Sequence, residues 1–209
     1  MALGFSNQAP FFYLSVWPIV PCLIYFGLAV LCYEFSMTIG LETLAAGAGL
    51  ITFSAAMIWA AIGDVRTFLI TNKLNMLIAA GFLAFALPMG LGLNEIAAHI
   101  GIGLLTTVIA LGMFLIGIYG GGDAKLTGAA ALWLGPAAMM PFILYTAIAG
   151  GILVVGLIFG RHVAKRFGLP KQPRWARRLL RKSAAVPYGV ALGIGAILAT
   201  PYTLWFPSI

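Results

Sequence analysis

Long apolar runs, separated by short polar or Gly/Pro-rich stretches, extend along almost the whole chain. Runs of this length with few charges are typical of helices that cross a bilayer, because about 20 apolar residues span its hydrocarbon core. The segment "WLGPAAMMP" adds a Gly-Pro turn and a second proline, which predicts a reversal inside the apolar stretch that it interrupts. The pattern predicts about seven spans, at residues 11–33, 44–62, 74–92, 96–118, 123–139, 141–160 and 187–206.

Composition supports the same class. Of 209 residues, 62% are hydrophobic and only 8% are charged, with a mean hydropathy of +1.06. A soluble domain of this size has too little interior to bury so much apolar surface. We therefore expect an all-α, polytopic integral membrane protein, with one membrane-embedded domain over residues 1–209. The opening "MALGFSNQAP" carries no Lys or Arg, which favours a retained first helix over a cleaved secretory signal.

The basic residues are concentrated in one part of the chain. Cytoplasmic loops carry the excess of Lys and Arg in membrane proteins, so these positions predict a cytoplasmic N-terminus and an external C-terminus. The net charge of +7 does not indicate a nucleic-acid partner, because no separate domain is present to bind one. Nine of the twelve lie in a single stretch: Arg161, Lys165, Arg166, Lys171, Arg174, Arg177, Arg178, Arg181 and Lys182. The other three are Arg66, Lys73 and Lys125.

The predicted cytoplasmic loop, residues 161–186, contains the segment "RWARRLLRK". Trp175 and Leu179 are four residues apart and share one helical face, with arginines on the others. This pattern predicts a basic amphipathic helix that lies on anionic lipid headgroups. A solvated loop that only sets the topology is the alternative interpretation.

Two of the five acidic residues stand at cytoplasmic ends of predicted spans. Asp64 ends the second span and Asp123 follows the fourth, within "GGGDAKL". A carboxylate within a span costs about 2.5–3.5 kcal/mol, so such a residue is a candidate functional group. If the helices pack together, the two carboxylates share a proton, which suits water activation and peptide hydrolysis. Gly120, Gly121 and Gly122 remove side chains beside Asp123 and permit close backbone approach.

Other interpretations of these two acids stay open on residue patterns alone. Asp123 can cap a helix N-terminus, where the helix dipole favours negative charge. Asp64 can pair with Arg66 or Arg161 as an interfacial ion pair. Proton-coupled transport also uses membrane carboxylates. Glu95 and His99, four residues apart, predict a surface pair rather than a metal site. We expect no metal and no cofactor, because no cluster of metal-ligand residues is visible in the sequence.

Three ordered segments resemble those of a known family. "GGGDAKL" is similar to the Gly-x-Gly-Asp signature of membrane aspartyl peptidases, and its continuation to that of the type IV prepilin leader peptidases. "DVRTFLITNKL" resembles the family's first aspartate motif at Asp64, Arg66, Ile70, Asn72 and Leu74, with Thr71 where proline is usual. "VPYGVAL" resembles the Pro-Tyr-Gly segment that opens the family's last helix, at Pro187, Tyr188 and Gly189.

The resemblance implies that Asp64 and Asp123 are the catalytic pair of an aspartyl endopeptidase. It implies cleavage of short basic prepilin leaders, usually after glycine and before an apolar helix, at the cytoplasmic face of the bacterial inner membrane. The residues implied to shape the site or bind substrate are Gly120, Gly122, Lys125, Arg66, Asn72, Pro187, Tyr188 and Gly189. The chain has no Cys-x-x-Cys motif of the family's methyltransferase region. It is therefore similar to the short form found with tight-adherence (Flp-type) pili.

Two competing hypotheses come from other classes of protein. Presenilin-like intramembrane proteases share Gly-x-Gly-Asp, but they use a Tyr-Asp pair and a Pro-Ala-Leu segment, whereas this chain has Gly63-Asp64 and Pro187-Tyr188-Gly189. The non-protease alternative is a proton-coupled small-molecule carrier or a non-enzymatic subunit of pilus assembly. A carrier is expected to show internal symmetry between its halves, and none is visible here.

Overall fold

The computed structural model describes the backbone of residues 19–167, 174–180 and 186–203, and most side chains from Gly40 onward within these ranges. The chain divides into two compact units, Met1–Leu41 and Glu42–Ile209, and every candidate site residue belongs to the second. The described residues contain helices and turns but no strand, so the all-α prediction is confirmed. The elements are α1 (Ile19–Thr67), α2 (Asn72–Ala86), α3 (Leu93–Leu115), α4 (Gly121–Leu134), α5 (Met139–Phe167), α6 (Arg174–Leu179), α7 (Tyr188–Ala199) and a 3-10 turn (Thr200–Tyr202).

Three helical segments are long and apolar enough to cross a membrane: Gly40–Thr67, Leu93–Leu115 and Met139–Arg166. Two shorter apolar segments, Asn72–Ala86 and Tyr188–Tyr202, accompany them. These findings agree with a membrane protein. The count of seven spans, the cytoplasmic N-terminus and the single domain over residues 1–209 stay predictions.

Helix α1 runs without a break through residues 19–33 of the first predicted span and through the whole of the second, and residues 11–18 lie outside the described residues. The expected connection, residues 34–43, is helical. The reason is local, because "EFSMTIGLET" has no proline and only one glycine, Gly40, so that no residue in it interrupts the helical hydrogen bonds.

The predicted Gly-Pro turn in "WLGPAAMMP" is confirmed as the turn between α4 and α5, while the reversal of the chain into two spans stays a prediction. Helix α4 ends at Leu134, and the N–H of Gly135 donates to the carbonyl of Ala131 (2.9 Å). Gly135 has a φ of +69°, a left-handed conformation that glycine adopts without steric cost. Pro141 lies in the first turn of α5, where its missing N–H removes no helical hydrogen bond.

The predicted cytoplasmic loop, residues 161–186, begins as helix rather than loop. Helix α5 continues through Arg161 to Phe167, because "RHVAKRF" contains neither glycine nor proline. Within the predicted amphipathic segment, α6 forms over Arg174–Leu179, with Trp175 exposed and the Arg161 Nε donating to the carbonyl of Leu179 (3.1 Å). Lys171, Arg181 and Lys182 lie outside the described residues.

Helix α4 is the central element of the second unit and packs against α2, α3 and α7. Its small residues allow this, because Ala129, Ala130 and Ala131 let neighbouring backbones approach closely. At its far end, Trp133 is buried, donates through Nε1 to the carbonyl of Ile78 (2.6 Å) and stacks on Phe53 with ring centroids 5.2 Å apart. The packing holds the N-terminus of α4, which carries Asp123, in a defined place.

The prediction that His99 lies at the surface beside Glu95 is wrong. His99 is buried, stacks on Phe82 and forms a hydrogen bond through Nδ1 with the carbonyl of Leu132 (2.9 Å). Glu95 is exposed and accepts from the N–H of Gly92 (2.9 Å), at the start of α3. The His99 ring fills space beside Gly135, and sequence spacing alone does not reveal such space.

Candidate active site

Asp64 lies in the last turn of α1 and is almost fully buried. The helix ends three residues later, where Phe68 takes a left-handed φ of +56° and its N–H donates to the carbonyl of Asp64 (2.8 Å). The chain therefore turns away directly after the carboxylate. Asp64 makes no ion pair among the described residues, so the predicted alternative of pairing with Arg66 or Arg161 is not observed there.

The Asp64 carboxylate is held from α7. The backbone N–H of Gly189 donates to Asp64 Oδ2 (2.7 Å), in a buried hydrogen bond. A Cβ at position 189 would lie 2.8 Å from that oxygen and 3.0 Å from the Asp64 Cβ, so the contact requires glycine. Pro187, which is buried at the N-cap of α7, precedes this glycine and starts the helix. The Pro-Tyr-Gly segment therefore meets the first aspartate in space.

Asp123 is the third residue of α4, in its first turn, and is partly buried. The N-cap position belongs to Gly120, so Asp123 does not occupy the N-cap itself. A Cβ at Gly120 would lie 2.6 Å from Asp123 Oδ2, which explains why a residue without a side chain is needed there. At Gly122 a Cβ would lie 3.2 Å from the Ile70 Cβ, so the start of α4 packs directly on the loop that follows α1.

The two carboxylates interact. Asp123 lies outside the three helices that are long enough to cross a membrane. Burial, and then the negative charge of Asp64, raise the pKa of Asp123 from 3.8 to about 7. A pair of this kind can hold one proton between two carboxylates near neutral pH. Such a pair can take a proton from water with one member and donate a proton to a carbonyl oxygen with the other.

Lys125 and Asn72 form a second link between the two motifs. The Lys125 Nζ donates to Asn72 Oδ1 (2.9 Å), which ties the second turn of α4 to the first residue of α2. Thr71 is the N-cap of α2 with a φ of −74° and a ψ of 142°, angles that proline also adopts. Its substitution for the usual proline therefore preserves the backbone shape of the loop. Arg66 is exposed.

Tyr119 belongs to the same site, although the sequence did not single it out. Its hydroxyl forms a hydrogen bond with Thr127 Oγ1 (3.0 Å), and that hydroxyl donates to the carbonyl of Asp123 (2.8 Å). Burial raises the pKa of Tyr119, as does the nearby charge of Asp123. Its ring lies 6.5 Å from that of Tyr188, which is 39% exposed. The sequence feature that could have indicated Tyr119 is its position, four residues before Asp123.

The predicted site residues thus come from four parts of the chain. The structure brings together Asp64, Gly189, Asp123 and Gly120, with Lys125 and Asn72 linked beside them and Arg66 at the exposed edge. Among the residues that the structure describes, no three His, Cys, Asp or Glu side chains lie close enough to hold a metal ion.

Comparison with known proteins gives one family. No curated protein and no solved structure matches the chain significantly. The sequence profile of the type IV leader peptidase family matches residues 50–155. The match includes Asp64, Asn72 and Asp123 and ends before Pro187. The match covers half of the chain, and three helices of the described structure are long enough to span a membrane. The chain therefore belongs to the type IV leader peptidase family, which indicates a protease.

Proposed function

We propose that this protein is a membrane aspartyl endopeptidase that removes the leader peptide from prepilins. The observation that carries the proposal is the juxtaposition of two carboxylates, Asp64 at the end of α1 and Asp123 at the start of α4, in one partly buried site. Membership of a leader peptidase family indicates a protease, and this pair is the group of side chains best suited to the chemistry.

The reaction begins with one proton on the pair. Asp123 holds this proton and Asp64 is ionised, with the Gly189 N–H on Oδ2 fixing the orientation of its carboxylate. Asp64 takes a proton from a water molecule, and the resulting hydroxide attacks the scissile carbonyl carbon. Asp123 donates its proton to the carbonyl oxygen, which gives a neutral tetrahedral intermediate. Asp64 then returns its proton to the amide nitrogen, the C–N bond breaks and Asp123 recovers its proton from the collapsing hydroxyl.

The substrate class follows from the family. We propose a prepilin with a short basic leader, cleaved usually after glycine at the cytoplasmic face of the bacterial inner membrane. Within this class we propose prepilins of type IV or tight-adherence (Flp) pili. Gly120 carries no side chain beside the Asp123 carboxylate, which favours the approach of a peptide bond of the leader there. Exposed basic residues of α5, Lys165 and Arg166, and the α6 segment contact anionic lipid headgroups.

The test is co-expression with a candidate prepilin, followed by measurement of the mass and N-terminus of the pilin. The enzyme is supplied as the wild type, as Asp64→Asn, as Asp123→Asn, or as Glu95→Gln. The last variant removes an exposed acid outside the site and serves as the matched control. Variant levels in the membrane fraction are measured by immunoblot.

We expect the wild type and Glu95→Gln to remove the leader and both Asp→Asn variants to leave the prepilin intact at equal membrane levels. Substantial cleavage by either Asp→Asn variant would exclude the two-carboxylate mechanism. Failure of the wild type to cleave any prepilin with a basic leader would exclude the proposed substrate class.

A further inference from the structure

An apolar groove of about 620 Å³ lies between α3 and α5 in the second unit. Its walls are mainly apolar, with Ile109 and Met113 on one side and Ile143 and Gly151 on the other. Within the part of the chain that the structure describes, α3 packs mainly on α4 and α5 packs mainly on α7, and the two helices hardly contact each other across the groove. An apolar groove on a membrane protein is accessible to another apolar element in the bilayer.

The groove has the length of several helical turns. Its lining residues on α3 run from Ile102 to Met113, and those on α5 from Met139 to Gly151. At 1.5 Å per residue these stretches rise about 17 and 18 Å. This is roughly half the thickness of the hydrocarbon core, and it accommodates about three turns of an added helix.

One end of the groove is part of the candidate active site. Tyr119, Thr127 and Tyr188 line it, and Thr127 is hydrogen-bonded to the carbonyl of Asp123. Gly150 of α5 lies at this same end of the groove, because a Cβ there would lie 3.5 Å from the Tyr188 ring. The groove therefore has two tyrosines and Thr127 at the end near Asp123, and mainly apolar walls farther away, interrupted by Thr106 and Thr146.

We propose that this groove seats the apolar helix that follows the scissile bond of the substrate. The inference rests on the proposed function and adds where the substrate's membrane segment binds. A chain that changes from a polar leader to an apolar helix matches the groove, which changes from the tyrosines and Thr127 near Asp123 to mainly apolar walls. The Tyr119–Tyr188 pair stands at this transition and sets the distance between the start of the bound helix and the carboxylates.

Two glycines on α5 provide a matched pair of variants. Gly151 lines the groove and Gly156 does not, yet both are exposed and a Cβ at either meets no atom within 4 Å. Gly151→Phe fills the groove and Gly156→Phe adds the same ring on another face of the helix. We expect Gly151→Phe to lower kcat/KM for a full-length prepilin by more than about tenfold, chiefly through KM, and Gly156→Phe to stay within about twofold. Equal effects of the two substitutions would overturn the inference.

Photo-crosslinking locates the substrate directly and does not depend on activity. Ile143 and Leu144 are adjacent and almost equally exposed (56% and 57%), but only Ile143 lines the groove. A photoreactive phenylalanine is placed at either position in the inactive Asp123→Asn background. We expect an adduct with the apolar helix of the prepilin from position 143 and none from position 144.

Three results would overturn the inference: equal adducts from both positions, no adduct from either, or an adduct at position 143 with lipid or a second copy of this chain alone. In each case wild-type cleavage of the same prepilin is measured in parallel. If the wild type cleaves the prepilin but no groove-specific adduct forms, the groove is excluded as the binding site of the substrate helix and the proposed function stands. Lack of cleavage by the wild type removes the proposed function itself.

Discussion

The backbone N–H of Gly189 donates a hydrogen bond to Asp64 Oδ2 at 2.7 Å, although 125 positions separate the two residues. The contact joins the end of α1 to the first turn of α7. Because the donor belongs to a helical backbone, its position is rigid, and it orients the carboxylate without a charged partner. The last helix thus supports the candidate active site through its main chain.

Gly189→Ala is expected to impair cleavage strongly. The added Cβ would lie 2.8 Å from Asp64 Oδ2, so the carboxylate or the start of α7 must shift. A misplacement of about 1 Å in a catalytic group costs about a hundredfold in rate. Gly63→Ala is the control, because a Cβ there meets no atom within 4 Å although the residue is next to Asp64. Prepilin cleavage rates of the purified variants decide the matter, and an active Gly189→Ala enzyme would contradict the prediction.

Thr71→Pro is expected to leave activity within about twofold of the wild type, because the φ of Thr71, −74°, is one that proline adopts. The substitution removes the N-cap hydrogen bond that the Leu74 N–H donates to Thr71 Oγ1, which is long at 3.4 Å. Proline also makes the unfolded chain less flexible, which stabilises the folded protein. The two effects oppose each other, so the net change in unfolding free energy is expected to be within about 1 kcal/mol. Thermal unfolding in detergent and the cleavage rate are measured together. Thr71→Gly, which loses both the cap and the restraint, is expected to be less stable than either.

Lys125→Met and Asn72→Ala are expected to have non-additive effects. Their side chains form one hydrogen bond of 2.9 Å between α4 and α2, so removing either partner removes the same link. The double variant is therefore expected to cleave no more slowly than the slower of the two single variants. The coupling energy between the two substitutions is expected to be about 0.5–1 kcal/mol, because both side chains are exposed. Lys73→Met removes an exposed positive charge next to Asn72 and controls for charge alone. Strictly additive losses would show that the two residues act separately.

Cleavage is expected to decline as the pH rises through about 7. The pKa of Asp123 is raised from 3.8 to about 7, so its proton is present below that pH and lost above it. Loss of the proton leaves two carboxylates ionised and no acid for the carbonyl oxygen. The measurement is kcat/KM between pH 5 and pH 9, about two units to either side of the midpoint, with a substrate that lacks histidine. A rate that stays constant to the alkaline end would argue against Asp123 as the acid.

Local sequence was sufficient for the positions of most helices and for the choice of candidate acids. The turn at Gly135 and the short basic helix α6 were predictable because glycine, proline and amphipathic spacing act over a few residues. Asp64 and Asp123 stood out because a charge in an apolar chain is costly. The connection expected at residues 34–43 was wrong because weak local polarity does not end a helix that contains no breaker.

Features that depend on distant packing were not predictable. His99 has the spacing of a surface residue from Glu95, yet it is buried beside Gly135 and Phe82. Tyr119 looks like any interfacial aromatic residue until its hydroxyl is seen against Thr127. In both cases the deciding factor is space left by a residue on another element, which carries no signal at the residue itself.

The sequence by itself determined that the chain is helical and apolar enough for a membrane, and which two carboxylates merit attention, because hydrophobic periodicity and charge cost are properties of short segments. Only the tertiary structure decided that Asp64 meets Gly189, that its charge reaches Asp123, and that a groove between α3 and α5 ends at Tyr119, Thr127 and Tyr188. These relationships arise because small residues allow two helices to pack closely against each other. Close packing depends on the surfaces of both helices together, and neither segment of sequence shows it alone.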